Sequence, residues 1–253
     1  VRNLGSKLKI NGELLNRHPF PGPGLAIRIP GEVDKNKIVI LRRVDKNYIT
    51  NFTLHFDSFK GHSEIAGSIP IDLIIEEGRT ANSNPHPFKG NMDIEKLKNF
   101  IDEKGKENIP LIIITVTSNG NGGQPVSMEN IRTVSKIAKT NQIPLMIDAA
   151  RFAENCYFIK KRENGYENKS IKEIANELFS YADGCVMSSK KDGLVNIGGF
   201  ICTKHEELFP MINQLAIINE GFVTYGGMSG RDNAITELAE EYSFILKLSL
   251  IHI

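Results

Sequence analysis

The sequence is poor in the features that would set it apart from ordinary globular proteins. Its 253 residues include no tryptophan and only three cysteines, and the formal net charge is +1. No run of about 18 apolar residues occurs, so no membrane span is expected. With 31 Lys plus Arg against 30 Asp plus Glu, there is no basic excess to grip a phosphate backbone, and no nucleic-acid partner is expected. The start, Val1-Arg2-Asn3-Leu4-Gly5, has neither a signal-peptide stretch nor an initiator Met, which reads as a fragment of a longer chain. Cys156, Cys185 and Cys202 are odd in number and widely spaced. They lack disulfide or zinc spacing and are expected to be buried, reduced thiols of a cytoplasmic protein. The six histidines contain no H-x-x-x-H pair, so no catalytic zinc site is expected.

Several nucleophile and phosphate motifs are also missing. There is no G-x-S-x-G elbow. Gly120-Asn-Gly122-Gly123 lacks dinucleotide-binding spacing, and no Walker lysine follows it. Ser188-Ser189-Lys190-Lys191 fits S-x-x-K, but its S-D-N and K-T-G companions are absent.

What is present is an alternation of strand and helix signals. Residues 1–46 match no clear pattern, and His18-Pro-Phe-Pro-Gly-Pro-Gly24 can neither continue a helix nor occupy a central strand. Beyond them, Ile69 to Ile75 reads as a strand, and Met92 to Ile101 as a helix with Asp93 near its start. Pro110 to Thr117 is a β-branched apolar run, as a strand buried on both faces requires. Ser127 can cap a helix carrying Ile131, Val134, Ile137 and Ala138. Ile143 to Ile147 reads as a strand ending at Asp148. Ser170-Ile-Lys-Glu173 fits a capping box opening a helix through Tyr181. Asp183 to Met187 leads to Ser188, Ile197 to Thr203 is another strand candidate, and Glu206 to Ile218 reads as helical. This order predicts an α/β fold with a mostly parallel sheet flanked by helices. Residues 241–253 read as the truncated start of a further region or as a scar.

In such folds ligands bind beyond the carboxyl ends of the strands. Three polar clusters fall there: Ser118-Asn119-Gly120, Asp148-Ala-Ala-Arg151, and Ser188-Ser-Lys-Lys-Asp192. A lysine that forms a Schiff base must lose its proton, and the like charge of Lys190 beside Lys191 favours that loss. An Asp at a strand end with an Arg three residues on suits pyridoxal phosphate. The carboxylate would keep the pyridine nitrogen protonated and a cation would face the phenolic oxygen.

Ser118-Asn-Gly-Asn-Gly-Gly-Gln-Pro-Val-Ser127, Ile147-Asp-Ala-Ala-Arg-Phe-Ala-Glu-Asn155, Tyr157-Phe-Ile-Lys160, Ser188-Ser-Lys-Lys-Asp192 and Tyr225-Gly-Gly227 resemble, in order, the β-eliminating lyases tryptophanase and tyrosine phenol-lyase. The resemblance covers about residues 47–240 and implies the large domain of a pyridoxal-phosphate-dependent transferase of the aspartate-aminotransferase fold. It also implies a homotetramer that requires pyridoxal phosphate and a monovalent cation such as K+. Carried onto this sequence, Lys191 is the Schiff-base lysine and takes the substrate's α-proton, and Lys190 is its partner in proton handling. Asp148 faces the pyridine nitrogen, Arg151 and Asn119 approach the phenolic oxygen, Ser188 donates to the phosphate, and Phe56 stacks on the ring. Asp57 lies beside the substrate.

The resemblance implies that an aromatic amino acid is cleaved to pyruvate, ammonia and the free aromatic. Asp57, Ala150-Arg-Phe-Ala-Glu-Asn155 and Glu220-Gly-Phe-Val-Thr-Tyr-Gly-Gly227 lean to tryptophan and indole. Asn168-Lys-Ser170 and Tyr181-Ala-Asp-Gly-Cys185 also resemble the tyrosine enzyme, which releases phenol. Two departures point another way. Pro30-Gly31-Glu32 stands where the family's phosphate-binding Gln-Gly-Arg is expected, and the carboxylate-clamping arginine of the family's C-terminal domain has no counterpart. They raise the alternative of a non-catalytic binding subunit or an incompetent fragment.

Overall fold

The structure is a computed structural model that describes residues 49–52, 60–61, 63–64, 66–79, 86–195, 198–219 and 249–252. All of them fall in one compact unit, Asp45–Ile253. Residues 1–46, and with them Pro30-Gly31-Glu32, lie outside the described set. So do Phe56, Asp57 and the stretch from Glu220 to Gly227.

Seven described strands form one sheet. They are β1 (Ile49–Phe52), β2 (Ile69–Asp72), β3 (Leu111–Thr115), β4 (Leu145–Asp148), β5 (Gly184–Ser188), β6 (Gly199–Thr203) and β7 (Ser249–His252). The order across the sheet is β2-β1-β3-β4-β5-β6-β7. The strands from β2 to β5 pair in parallel, and β6 runs antiparallel to both of its neighbours. Six described helices accompany the sheet: α1 (Glu76–Arg79), α2 (Ile94–Lys104), α3 (Met128–Asn141), α4 (Phe152–Arg162), α5 (Ile171–Ser180) and α6 (Phe209–Asn219). The mostly parallel sheet flanked by helices is the architecture expected from the alternation of patterns. β7 lies within the stretch 241–253, which reads from the sequence as the truncated start of a further region or as a scar.

The local reasons match the sequence signals. Asp93 caps α2, accepting from the Lys96 amide at 3.0 Å, and Ser127 caps α3, accepting from the Asn130 amide at 3.1 Å. The Ser170–Glu173 capping box is complete at the head of α5. Ile112, Ile113 and Ile114 of β3 and Ile147 of β4 have no exposed surface, which is why β3 is an unbroken apolar run. Helix α4 was not anticipated. Its amphipathicity is weak, with its basic residues Lys160, Lys161 and Arg162 gathered in the last turn and Glu154 alone in the first.

Cys156, Cys185 and Cys202 are buried free thiols. Cys185 and Cys202, 17 residues apart in sequence, are direct partners across β5 and β6, which the chain spacing could not reveal. Their contact, together with burial, pushes the Cys185 thiol well above its ordinary range.

Three asparagines pin the connections behind the strand ends. Asn155 accepts from the Val126 amide at 2.8 Å and donates to the Val126 carbonyl at 2.9 Å. Asn130 makes the same pair of bonds to Met92, both at 2.9 Å. Asn91 accepts from the Ser127 amide at 2.8 Å. Each side chain stands in for a strand partner where the backbone has none. Replacing Asn155, which has no exposed surface, strands a buried amide and a buried carbonyl. Asn155→Ala is expected to lower stability by about 1–3 kcal/mol, read as a fall in the urea midpoint with unchanged slope.

Candidate active site

Three chain reversals sit side by side at the carboxyl ends of β3, β4 and β5. Backbone hydrogen bonds continue the ladder past the strands: Val116 N–H donates to the Asp148 carbonyl (3.0 Å), Ala149 N–H to Val186 (2.8 Å) and Arg151 N–H to Val116 (3.2 Å). The β3 reversal is a tight glycine turn. The Ser118 carbonyl accepts from the amides of Asn121 (3.2 Å), Gly123 (2.9 Å) and Gln124 (3.2 Å). Gly122 and Gly123 have φ of 69° and 74°, a conformation that favours glycine. Asn119 opens this turn, and its side chain is outside the described part of the structure.

Asp148 closes β4 and is half-buried. Burial pushes its carboxyl above the ordinary aspartate range, while the Ala150 amide at 3.3 Å and the Lys191 ammonium pull it down. Lys191 lies in the turn after β5, and its Nζ donates to Ser188 Oγ at 2.9 Å. Its amine titrates below the ordinary lysine range. Burial is the first cause and the charge of exposed Lys190 the second; Asp148 opposes them and Arg151 adds to them. Lys190 thus acts on Lys191 through like-charge repulsion. Ser188, accepting from Lys191, keeps its own proton to donate.

Arg151 faces the same region. Its Nη1 stands 3.7 Å from Glu154 Oε2, and its Nε is buried without a hydrogen-bond partner. Two hydroxyls share that condition, Ser118 Oγ and Ser189 Oγ, and both residues have no exposed surface. Three buried polar atoms without partners, gathered at three adjacent strand ends, are the mark of a site built for a polar ligand. Thr117 Oγ1 donates to Glu154 Oε2 at 3.4 Å, which places Glu154 at the rim.

The structure thus brings together Asp148, Arg151, Ser188, Lys190 and Lys191, while Phe56 and Asp57 lie outside the described residues. Sequence reasoning gave no role to Ser189, Glu154 or Asp192. Ser189 was readable only as part of a small-residue turn, and the partners of Asp192 are 38 and 39 residues away. Among the described residues no helix is long and apolar enough to cross a membrane, and no group of three His, Cys, Asp or Glu side chains is placed to hold a metal.

A desolvated carboxylate and a lysine whose amine titrates below its ordinary range stand at the neighbouring carboxyl ends of β4 and β5, the side of an open α/β sheet where ligands bind. Residues 37–245 match the beta-eliminating lyase family, and the chain belongs to that family. It is 52% identical over 178 residues to a probable beta-eliminating lyase of Trichomonas vaginalis, covering 70% of this chain and 38% of that protein. It is 49% identical over 179 residues to a tyrosine phenol-lyase of Fusobacterium nucleatum (71% and 39% covered). A tryptophanase of Salinibacter ruber is 46% identical over 178 residues (70% and 37% covered). The chain therefore spans well under half the length of these relatives. Among solved structures, the PLP-bound C-S lyase from Staphylococcus hominis shares the fold, with a TM-score of 0.50 at 17% identity over 83% of this chain and 47% of that one. Catharanthus roseus tryptophan decarboxylase does so with a TM-score of 0.51 at 12% identity, covering 83% and 42%.

The electrostatics make a signed prediction. Removing the Lys190 charge relieves one of the influences that disfavour a protonated Lys191, so Lys190→Met is expected to move the Lys191 titration upward. NMR of the 13C-dimethylated lysines reads this directly, and an unmoved Lys191 resonance would contradict the assignment of that influence.

Proposed function

We propose that the protein is a pyridoxal-phosphate-dependent carbon–carbon lyase acting on an aromatic amino acid. One observation carries the reading: the Lys191 amine and the Asp148 carboxyl act on each other electrostatically at adjacent strand ends, within a set of buried polar atoms that have no protein partner. These residues fit the cofactor's chemistry. Lys191 offers an amine that gives up its proton readily, Asp148 a carboxyl for a ring nitrogen, Arg151 a cation for a phenolic oxygen, and Ser188 a hydroxyl proton for a phosphate. When bound, the cofactor supplies an electron sink for a carbanion at the substrate's α-carbon.

The chain's own residues then have separable tasks. Lys191 accepts the α-proton, because burial and the charge of Lys190 favour the unprotonated amine that a base must be. Asp148 holds a proton on the ring nitrogen through its charge and its position at the end of β4. Arg151 would offer its guanidinium to the phenolic oxygen, and Glu154, 3.7 Å from Arg151 Nη1, would steady it.

The proposal takes L-tryptophan as the substrate, with indole, pyruvate and ammonia as products, on the strength of Ala150-Arg-Phe-Ala-Glu-Asn155 and of the resemblance at Asp57 and Glu220–Gly227. Tyrosine phenol-lyase stands as the second reading because relatives of both names match at similar identity. The homotetramer and the K+ requirement belong to the same proposal.

Pyridoxal phosphate added to the chain is expected to give a visible absorption band that Lys191→Ala lacks, with borohydride fixing the cofactor at Lys191. In the complete protein Lys191→Ala should lower indole release from L-tryptophan by at least about 10²-fold. Phenol release from L-tyrosine exceeding indole release would favour the second reading, and fixation at another lysine would overturn both.

A further inference from the structure

Helix α4 begins without a cap of its own. Arg151 holds the capping position, with φ −131° and ψ 40°, and makes no side-chain capping bond. The first amides of a helix need acceptors, and a carboxylate is the favoured one. Here it arrives from far along the chain: Asp192 Oδ2 accepts from the Ala153 amide at 2.8 Å and the Glu154 amide at 3.2 Å. The Asp192 amide in turn donates to the Ala150 carbonyl at 3.3 Å. Three hydrogen bonds therefore join the residue directly after Lys191 to the segment directly after Asp148.

The arrangement resolves a conflict at position 151. A local Ser, Thr or Asp there would cap α4 in the ordinary way. Arg151 instead makes no capping bond and keeps its Nε buried without a partner, so the cap has to come from elsewhere. The carboxylate that supplies it is tied covalently to Lys191. The turn carrying both is held from within by Leu194 N–H to the Lys191 carbonyl (3.0 Å) and Val195 N–H to the Ser189 carbonyl (3.2 Å). A turn so held transmits the position of Asp192 to its neighbour.

We propose that Asp192 is a positioning residue: docked on the first amides of α4, its carboxylate fixes the Lys191 turn against the Asp148–Arg151 loop and so sets where the Lys191 amine stands relative to Asp148. This rests on the reading of Lys191 as the cofactor-bearing lysine. A cap that served α4 alone would affect stability and nothing else, whereas a clamp between the two loops affects the rate at which Lys191 captures the cofactor.

The test compares Asp192→Ala and Asp192→Asn with Ser170→Ala, which breaks the capping box of α5 and belongs to neither loop. Two quantities are read in the full chain: amide hydrogen exchange at Ala153 and Glu154 without cofactor, and the rate of pyridoxal phosphate capture at Lys191, followed by absorption and borohydride fixation. Asp192→Ala is expected to lose protection at both amides and to slow capture by about tenfold or more, as misplacement of a reacting group does. Asp192→Asn, whose amide oxygen can still accept, should retain protection and most of the rate. Ser170→Ala should lower the melting temperature and leave capture unchanged. Unprotected Ala153 and Glu154 amides in the unsubstituted chain would overturn the clamp. So would normal capture by Asp192→Ala, or slowing by Ser170→Ala in proportion to its lost stability. Protected amides with fixation at a lysine other than Lys191 would overturn the reading of the site instead, and the positioning role with it.

Discussion

Two backbone hydrogen bonds, Val116 N–H to the Asp148 carbonyl and Ala149 N–H to the Val186 carbonyl, carry the parallel ladder one step beyond β3, β4 and β5. What lies behind them is closed to polar chemistry, since Ile112, Ile113, Ile114 and Ile147 have no exposed surface and a polar group placed there would go unsolvated. What lies ahead is the first place where side chains can meet solvent or a ligand. The register of the ladder, Thr115 beside Asp148 and Asp148 beside Val186, therefore determines which polar residues become neighbours. Lys191 and Asp148 act on one another because of that register, although 42 residues separate them in the chain.

Partial burial then sets the character of the pair. It favours the neutral form of each group, raising the proton affinity of Asp148 and lowering that of Lys191, while their mutual attraction opposes both shifts. A third charged group entering here would act on both members of the pair, which is why such clusters mark candidate ligand sites. Arg151 and Lys190 bias the balance further toward a neutral Lys191. The three partnerless polar atoms nearby carry a desolvation cost that a polar ligand would offset.

Most of the fold was legible because the chemistry of its elements is local. Asp93, Ser127 and the Ser170–Glu173 box cap helices whose signals lie within four residues of their partners, and the apolar run from Leu111 announces a strand buried on both faces. Helix α4 was hidden because its head has no local cap, and the Cys185–Cys202 pairing because register is not a property of spacing. Of the candidate site, the gathering of Asp148, Arg151, Ser188, Lys190 and Lys191 at neighbouring strand ends was legible, since each stands at or just past the end of an apolar run. Its cross-links were not legible. The carboxylate of Asp192 and the buried amides of Asn155 and Asn130 act on backbone between 29 and 39 residues distant, and no local pattern encodes such a partner.

The most direct measurement is a crystal structure of the complete protein with pyridoxal phosphate bound. The cofactor should be joined to Lys191 Nζ, with its ring nitrogen within hydrogen-bonding distance of the Asp148 carboxylate and Arg151 at the edge carrying the phenolic oxygen. A cofactor bound elsewhere, or joined to Lys191 with its ring nitrogen turned away from Asp148, would contradict the assignment of these strand ends as the active site.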